Sequence, residues 1–183
     1  MNLPASVEGR ERARLFCGLR LPDQALDTLQ DWQSEHIPAG RPVSRDHLHI
    51  TLAFLGHRPV EELDSILREL REAAAAAGPI RLVPEHYRET RSVGMLVLSD
   101  LGGEATRLAE DLQGRLEGLG VYEREQRQWL PHLTVVRFRS RPRLQPPLPD
   151  LGEVSPSDAA AYHSVLRSSG AQYVVVESFA LGG

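Results

Sequence analysis

The chain holds one cysteine, Cys17, among its 183 residues, so no internal disulfide can form. That scarcity fits a reducing compartment. Long apolar runs are missing too: no window approaches the roughly 20 apolar residues of a membrane-spanning helix. The opening stretch, Met1 to Arg14, is polar and charged and lacks the apolar segment of a secretory leader. These absences predict a cytoplasmic protein without membrane attachment. A basic excess is also lacking. The formal net charge is −4, which argues against a protein that grips long nucleic acid through non-specific phosphate contacts. A small site for one phosphorylated end remains compatible, because a local basic cluster can coexist with an acidic total.

What is present is an ordinary globular balance, 41% hydrophobic and 25% charged. The length suits one domain or two small fused lobes. Residues 1–11 read as a loose polar arm. In Arg14–Leu19, Leu15, Cys17 and Leu19 fall on one face of a strand and Phe16 on the other. Pro22 opens a helix that runs to about Glu35. His47–Leu55 is the clearest strand, with Leu48, Ile50, Leu52 and Phe54 on one face and His47, His49, Thr51 and Ala53 on the other. A helix follows over Pro59–Ala77, then strands near Ile80–Tyr87 and Val93–Ser99. A third helix carries Leu108, Leu112, Leu116 and Leu119. Trp129–Phe138 reads as another strand. Residues 139–156 are Pro-rich and predict an extended connection. Ala159–Leu166 and Gln172–Leu181 close the chain as a hairpin. The irregular order of helices and strands predicts an α+β fold with mainly antiparallel sheets.

Two segments repeat one pattern: His49-Ile-Thr-Leu52 and His132-Leu-Thr-Val135. With seven histidines and five threonines in the chain, random placement would produce about 0.2 His-x-Thr pairs. In a strand, residues i and i+2 share a face. Each motif therefore presents an imidazole beside a hydroxyl while the intervening aliphatic residue faces the core. Brought together across a cleft, the two copies supply a proton donor, a proton acceptor and hydroxyl donors without a metal. Neutral and protonated imidazole are both accessible near neutral pH, and phosphodiester hydrolysis needs one of each. The hydroxyls can donate to the non-bridging oxygens, where charge is stabilised.

These motifs resemble those of the 2H phosphoesterase superfamily, and most closely the RNA 2′,3′-cyclic phosphodiesterases, also called 2′-5′ RNA ligases. His47-Leu-His-Ile-Thr-Leu-Ala-Phe-Leu-Gly56 is similar to the family's first motif and Pro131-His-Leu-Thr-Val-Val-Arg137 to its second. Arg14–Pro22 resembles its opening strand, and Tyr162–Leu166 with Gly170–Tyr173 its closing hairpin. Leu144–Pro156 departs from the pattern in being Pro-rich and short. The resemblance implies a single bilobal, pseudo-twofold domain over 1–183, with two mainly antiparallel sheets flanked by helices around a central cleft. It also implies hydrolysis of the 2′,3′-cyclic phosphate on RNA ends or small cyclic nucleotides to a 2′-phosphate, with weak reversible 2′-5′ ligation in some members. No cofactor, metal or obligate protein partner is implied. His49 then protonates the leaving O3′ and His132 activates water, although the near-symmetry of the motifs leaves the reverse assignment open.

Thr51, Thr134 and Arg137 are the expected phosphate ligands. Arg137 matches a family arginine, yet it stands five positions after His132, so regular alternation turns it away from the cleft. It reaches the phosphate only if the strand bulges, twists or ends. Phe16 and Trp129 are candidates for stacking on a base, with core packing as the other reading of each. His47 shares a face with His49, so a metal site using His47, His49 and His132 is conceivable, without a carboxylate or cysteine at supporting spacing. A non-catalytic module that binds RNA ends or nucleotides is the third possibility.

Overall fold

Alternating apolar residues build the first strand, β1 (Arg12–Arg20), in which Leu15, Cys17 and Leu19 are fully buried. The computed structural model describes residues 11–182. The expected arm at 1–11 lies outside them except for Glu11, whose carbonyl accepts the Val60 N–H at 3.0 Å. Helix α1 (Asp23–His36) follows directly on Pro22, whose fixed φ suits a helix entry. It buries Ala25, Leu29, Trp32 and Gln33. Strand β2 (Arg41–Pro42) is short, and β3 (Ile50–Pro59) carries most of the first motif. Helix α2 (Leu63–Ala76) buries Ile66, Leu67, Leu70, Ala73 and Ala74 at helical spacing.

Strands β4 (Leu82–Glu89) and β5 (Val93–Asp100) form a hairpin. Helix α3 (Glu104–Gly118) then starts under a cap supplied by Asp100, whose carboxylate accepts the Thr106 N–H at 2.8 Å and the Ala105 N–H at 3.3 Å. Strand β6 (His132–Arg137) carries the second motif, and β7 (Asp158–Arg167) and β8 (Gly170–Ala180) close the chain as the expected hairpin. Helix α2 packs on α3 and on β7 and β8, while α3 covers β3 and β5. None of the described helices is long and apolar enough to cross a membrane.

The fold is α+β and its strand pairs are antiparallel, as the sequence predicts. The two expected sheets are joined into one path, β4-β5-β6-β3-β1-β7-β8, with β2 also on β6. The join is thin: β3 and β6 share one register pair, Ile50↔Leu133. Strand β2 lies along the same side of β6 (Arg41↔Arg137, Pro42↔Val136), and the Val43 N–H donates to the Val135 carbonyl at 2.9 Å. Strands β2 and β3 are thus one run along β6, interrupted by an excursion at residues 44–49. Its centre, Arg45–His47, is a single 3-10 turn, so β3 begins at Ile50 and not at the expected His47.

The Pro-rich segment 139–156 is extended, as its composition predicts. It is tied down at three points. Leu82 and Val154 exchange backbone hydrogen bonds at 2.9 and 2.7 Å. The Trp32 indole N–H donates to the Pro147 carbonyl at 2.8 Å. The buried Glu89 carboxylate accepts the N–H groups of Arg143 (2.9 Å) and Leu144 (2.8 Å), which holds Arg143 in the left-handed region at φ 60°. Burial works against ionisation of Glu89, but those N–H groups, with Tyr87 and Arg141, outweigh it and hold the carboxyl below its ordinary range.

Candidate active site

The seam between β3 and β6 explains how the two motifs meet. Around Ile50↔Leu133, the antiparallel register sets His49 across from Thr134 and Thr51 across from His132. The histidines therefore lie on a diagonal, each facing the other motif's threonine. Two cavities open on either side. The smaller, about 220 Å³, is lined by His49, Thr134, Arg137, Arg41, His47 and Tyr173 among others. The larger, about 510 Å³, includes His132, Thr51, Trp129, Phe54, Tyr122 and Met95.

Both imidazoles are anchored alike. His49 Nδ1 lies 2.7 Å from the His47 carbonyl, and His132 Nδ1 lies 2.8 Å from the Leu130 carbonyl, each two residues back. A carbonyl only accepts, so each Nδ1 carries the hydrogen and each Nε2 is left to exchange a proton. His49 Nε2 accepts the Thr51 hydroxyl at 3.0 Å. The His49 ring rests on an aromatic floor: Phe16 lies 4.8 Å away, and Tyr162 stacks behind Phe16 at 4.7 Å. Gly18 leaves room for it, since a Cβ there would stand 2.9 Å from the Ile50 carbonyl oxygen and 3.3 Å from His49 Cδ2. Burial on this floor is the main force that pushes the His49 pKa down to about 4. The His47 carbonyl opposes it, while the charges of His132, Arg137 and His47 add to it.

Strand bulges correct the predicted faces. Thr51 pairs with Gly18 and Ala53 with Cys17, so Leu52 is an extra residue on β3. Likewise Thr134 pairs with Met95 and Val136 with Gly94, so Val135 is extra on β6. Each bulge falls at the last position of its motif and flips the alternation beyond it. Leu52 and Ala53 are both buried, as are Val135 and Val136. The residue five places after each histidine is turned to the cleft side: Phe54 on β3, Arg137 on β6. Arg137 thereby lines a cavity with His49 and Thr134, the bulge that its sequence position required. Phe54, expected inward, is instead 50% exposed and lines the larger cavity.

A buried glutamine supports each bulge from behind. Gln113 of α3 donates to the Leu52 carbonyl at 2.8 Å. Gln33 of α1 donates to the Val135 carbonyl at 2.7 Å and to the Val43 carbonyl at 3.0 Å. These are corresponding positions in the two motifs. Where paired strands part to open a cleft, their carbonyls need other donors, and the glutamines provide them. Sequence reasoning passed over both, although a signal existed: each stands four residues after a buried apolar residue, Leu29 or Ala109, as a polar interruption of an inward stripe.

The remaining candidates separate clearly. Phe16 is 3% exposed and covered by His49, so it supports the imidazole and offers no face to a base. Trp129 is partly buried, donates its indole N–H to the Thr51 carbonyl at 3.0 Å and lines the larger cavity. His47 accepts the Tyr173 N–H at 3.4 Å through Nε2 and packs against the Tyr173 ring. Among the described residues no group of three or more His, Cys, Asp or Glu is placed to hold a metal ion; His47, His49 and His132 do not gather into one. Cys17 is fully buried, and burial pushes its thiol up to about 12, the behaviour of a core residue.

Comparison with known proteins places the chain in a family. The model of the 2′-5′ RNA ligase superfamily matches residues 21–165. The RNA 2′,3′-cyclic phosphodiesterase of Thermus thermophilus is 32% identical over 181 residues, covering 93% of this chain and 91% of that protein. The Escherichia coli protein of the same name is 31% identical over 140 residues, covering 75% and 78%. Among solved structures, Escherichia coli LigT complexed with 3′-AMP superposes with a TM-score of 0.78 at 25% identity, over 94% of this chain and all 100% of that one. A Thermus thermophilus structure reaches 0.79 at 30% identity, over 93% and 98%. By its twin motifs, its fold and its likeness over most of its length, the chain belongs to the 2′-5′ RNA ligase superfamily.

Proposed function

We propose that the chain opens 2′,3′-cyclic phosphates, on RNA ends or small cyclic nucleotides, to 2′-phosphates by paired-histidine acid–base catalysis. One observation carries the reading: two imidazoles are held at Nδ1 by the same backbone anchor, which leaves Nε2 of each for proton exchange once Thr51 releases that of His49, diagonally across a seam that also presents two hydroxyls and an arginine. Water attacks phosphorus while His132 Nε2 takes its proton. The P–O3′ bond breaks and His49 Nε2 gives O3′ its proton, leaving the phosphate on O2′. Thr51, Thr134 and Arg137 meet the non-bridging oxygens.

The donor role of His49 carries a condition. In the empty cleft it is neutral above about pH 4, so the proton must arrive with the substrate. A phosphate anion beside the ring opposes the nearby cations and favours the charged form. Thr51, whose hydroxyl occupies His49 Nε2 in the empty cleft, is then released to the phosphate. The base of the substrate enters the larger cavity, where Phe54 and Trp129 supply aromatic faces.

The test is turnover of a nucleoside 2′,3′-cyclic phosphate in EDTA, with the product isomer identified. Release of the 2′-phosphate is expected at an undiminished rate. Activity lost to EDTA and regained with Zn²⁺ or Mn²⁺ would overturn the metal-independent chemistry, and a 3′-phosphate product would overturn the choice of bond. Binding without turnover would reduce the chain to a nucleotide-binding module.

A further inference from the structure

The smaller cavity holds more positive charge than one scissile phosphate uses. Arg41 and Arg137 stand directly opposite each other on β2 and β6, and like charges so placed repel. Arg41 and Arg137 also line a second, open cavity of about 440 Å³ with Gly40, Phe138 and Arg139. The two cavities thus meet at this arginine pair, and Arg139 continues the line. Among the described residues no carboxylate lines either cavity. All 21 basic residues of the chain are arginines, so residue type alone singles out nothing. Position does: Arg141, two places further on, is tied to Glu89 at 3.3 Å, whereas Arg41, Arg137 and Arg139 enter no ion pair among the described residues.

A cyclic phosphate diester is a monoanion. Arg137 and one protonated histidine already exceed it, which leaves Arg41 and Arg139 as a surplus aimed along the mouth of the site. The Arg41 guanidinium lies 3.7 Å from where a side chain on Gly170 would begin, so it reaches across to the β7–β8 turn. We infer that Arg41 and Arg139 form a backbone track that binds the phosphodiester on the 5′ side of the terminal nucleotide. This rests on the proposed reading of the site and sharpens it: the chain is built for oligonucleotide ends more than for free nucleotides. With the ribose over the seam, the base turns into the aromatic cavity and the 5′ phosphate onto the arginines. Arginine suits that ligand, because its planar fork pairs two phosphate oxygens at once.

The experiment compares a trinucleotide ending in a 2′,3′-cyclic phosphate with the matching nucleoside 2′,3′-cyclic phosphate. It also measures binding of both 2′-phosphate products at several salt concentrations. The wild-type chain should prefer the trinucleotide by at least about tenfold in kcat/KM. The Arg41→Ala/Arg139→Ala variant should lose at least about ten times more on the trinucleotide than on the nucleoside. Its log–log salt slope for trinucleotide binding should flatten by about 0.7, the value for one single-strand phosphate contact. Arg41→Lys/Arg139→Lys should retain most of the slope, because it keeps the charge. No preference in the wild type, or equal losses on both substrates with an unchanged slope, overturns the track. Failure to turn over either substrate defeats the phosphodiesterase reading, while the salt slopes still decide for or against the track.

Discussion

Replacing Gln113 by leucine keeps the volume of a buried side chain and removes the donor that holds the Leu52 bulge. A buried carbonyl stripped of its partner costs about 1–3 kcal/mol, so Gln113→Leu should lower the unfolding free energy, measured by urea denaturation, by an amount in that range. Gln33→Leu should fall toward the lower end at Val135, which keeps the Val43 N–H at 2.9 Å, while it also deprives Val43 of its 3.0 Å bond. The effect on rate is the sharper reading. The bulge sets Thr51 and Phe54 on the cleft side, and a displacement near 1 Å at a reacting group is worth up to about 10²-fold in rate. Each variant should therefore lose about 10–10²-fold in kcat with little change in KM, under conditions where circular dichroism reports a folded chain. Gln113→Glu offers a pH control, because only its protonated form can donate to the carbonyl, so its kcat should recover toward acid relative to Gln113→Leu. A Gln113→Leu variant that is destabilised by the expected amount but retains full kcat would refute the reasoning, since the glutamine would then stabilise the fold without placing the site.

His49→Ala and His132→Ala should each lose about 10²–10⁴-fold in kcat, with the double variant far from additive because both act in one step. A substrate with a very good leaving group should restore His49→Ala alone; restoration of His132→Ala instead reverses the two roles. The lowered pKa of His49 also makes a stability prediction. Between about pH 4 and 6.5 the unfolded chain binds this proton and the folded chain does not, so stability falls as pH drops through that window, by about 3 kcal/mol at its lower end. His49→Asn should lack that part of the slope in denaturation curves run from pH 7 to 4.5, and inorganic phosphate should offset it in the wild type; identical slopes in the two proteins would show that the ring is not held neutral. Phe54→Ala should raise KM for a purine nucleoside 2′,3′-cyclic phosphate about tenfold, whereas Phe16→Leu should act on the His49 pH profile; a KM effect from Phe16 alone would restore it as the stacking residue.

The sequence shows clearly whatever depends on period. The two His-x-Thr copies, the inward Ile50 and Leu133, the Leu-rich stripe of α3 and the closing hairpin all follow from counting by two or by 3.6. It shows poorly whatever breaks the period. No glycine or proline marks the bulges at Leu52 and Val135, and a strict alternation therefore sends Phe54 inward and Arg137 outward. The break between β2 and β3 is equally silent, because the 3-10 turn at Arg45–His47 is held by partners distant in sequence, Arg45 on Asp23 and Asp27 of α1 and His47 on Tyr173 of β8. Phe16 is placed on the site's side of β1, but only the position of His49 decides whether its ring meets a base or an imidazole.

Those unreadable features are also where the two halves of the site diverge. The motifs are nearly identical through their threonines, and a site made of them alone would treat its two sides alike. The bulges bring one further residue from each strand to the cleft, and there the strands differ: an aromatic ring at Phe54, a guanidinium at Arg137. The floor differs as well, since His49 rests on an aromatic floor of Phe16 and Tyr162 while the half-buried His132 lies beside Leu130. A reaction that needs one donor and one acceptor requires such a difference. It is supplied by the neighbours of the motifs, and exchanging Phe54 and Arg137 should therefore disturb substrate orientation while leaving both histidines anchored. A Phe54→Arg/Arg137→Phe variant is expected to bind phosphate and to lose more than about 10²-fold in kcat/KM; wild-type turnover in that variant would mean that the motifs themselves carry the asymmetry.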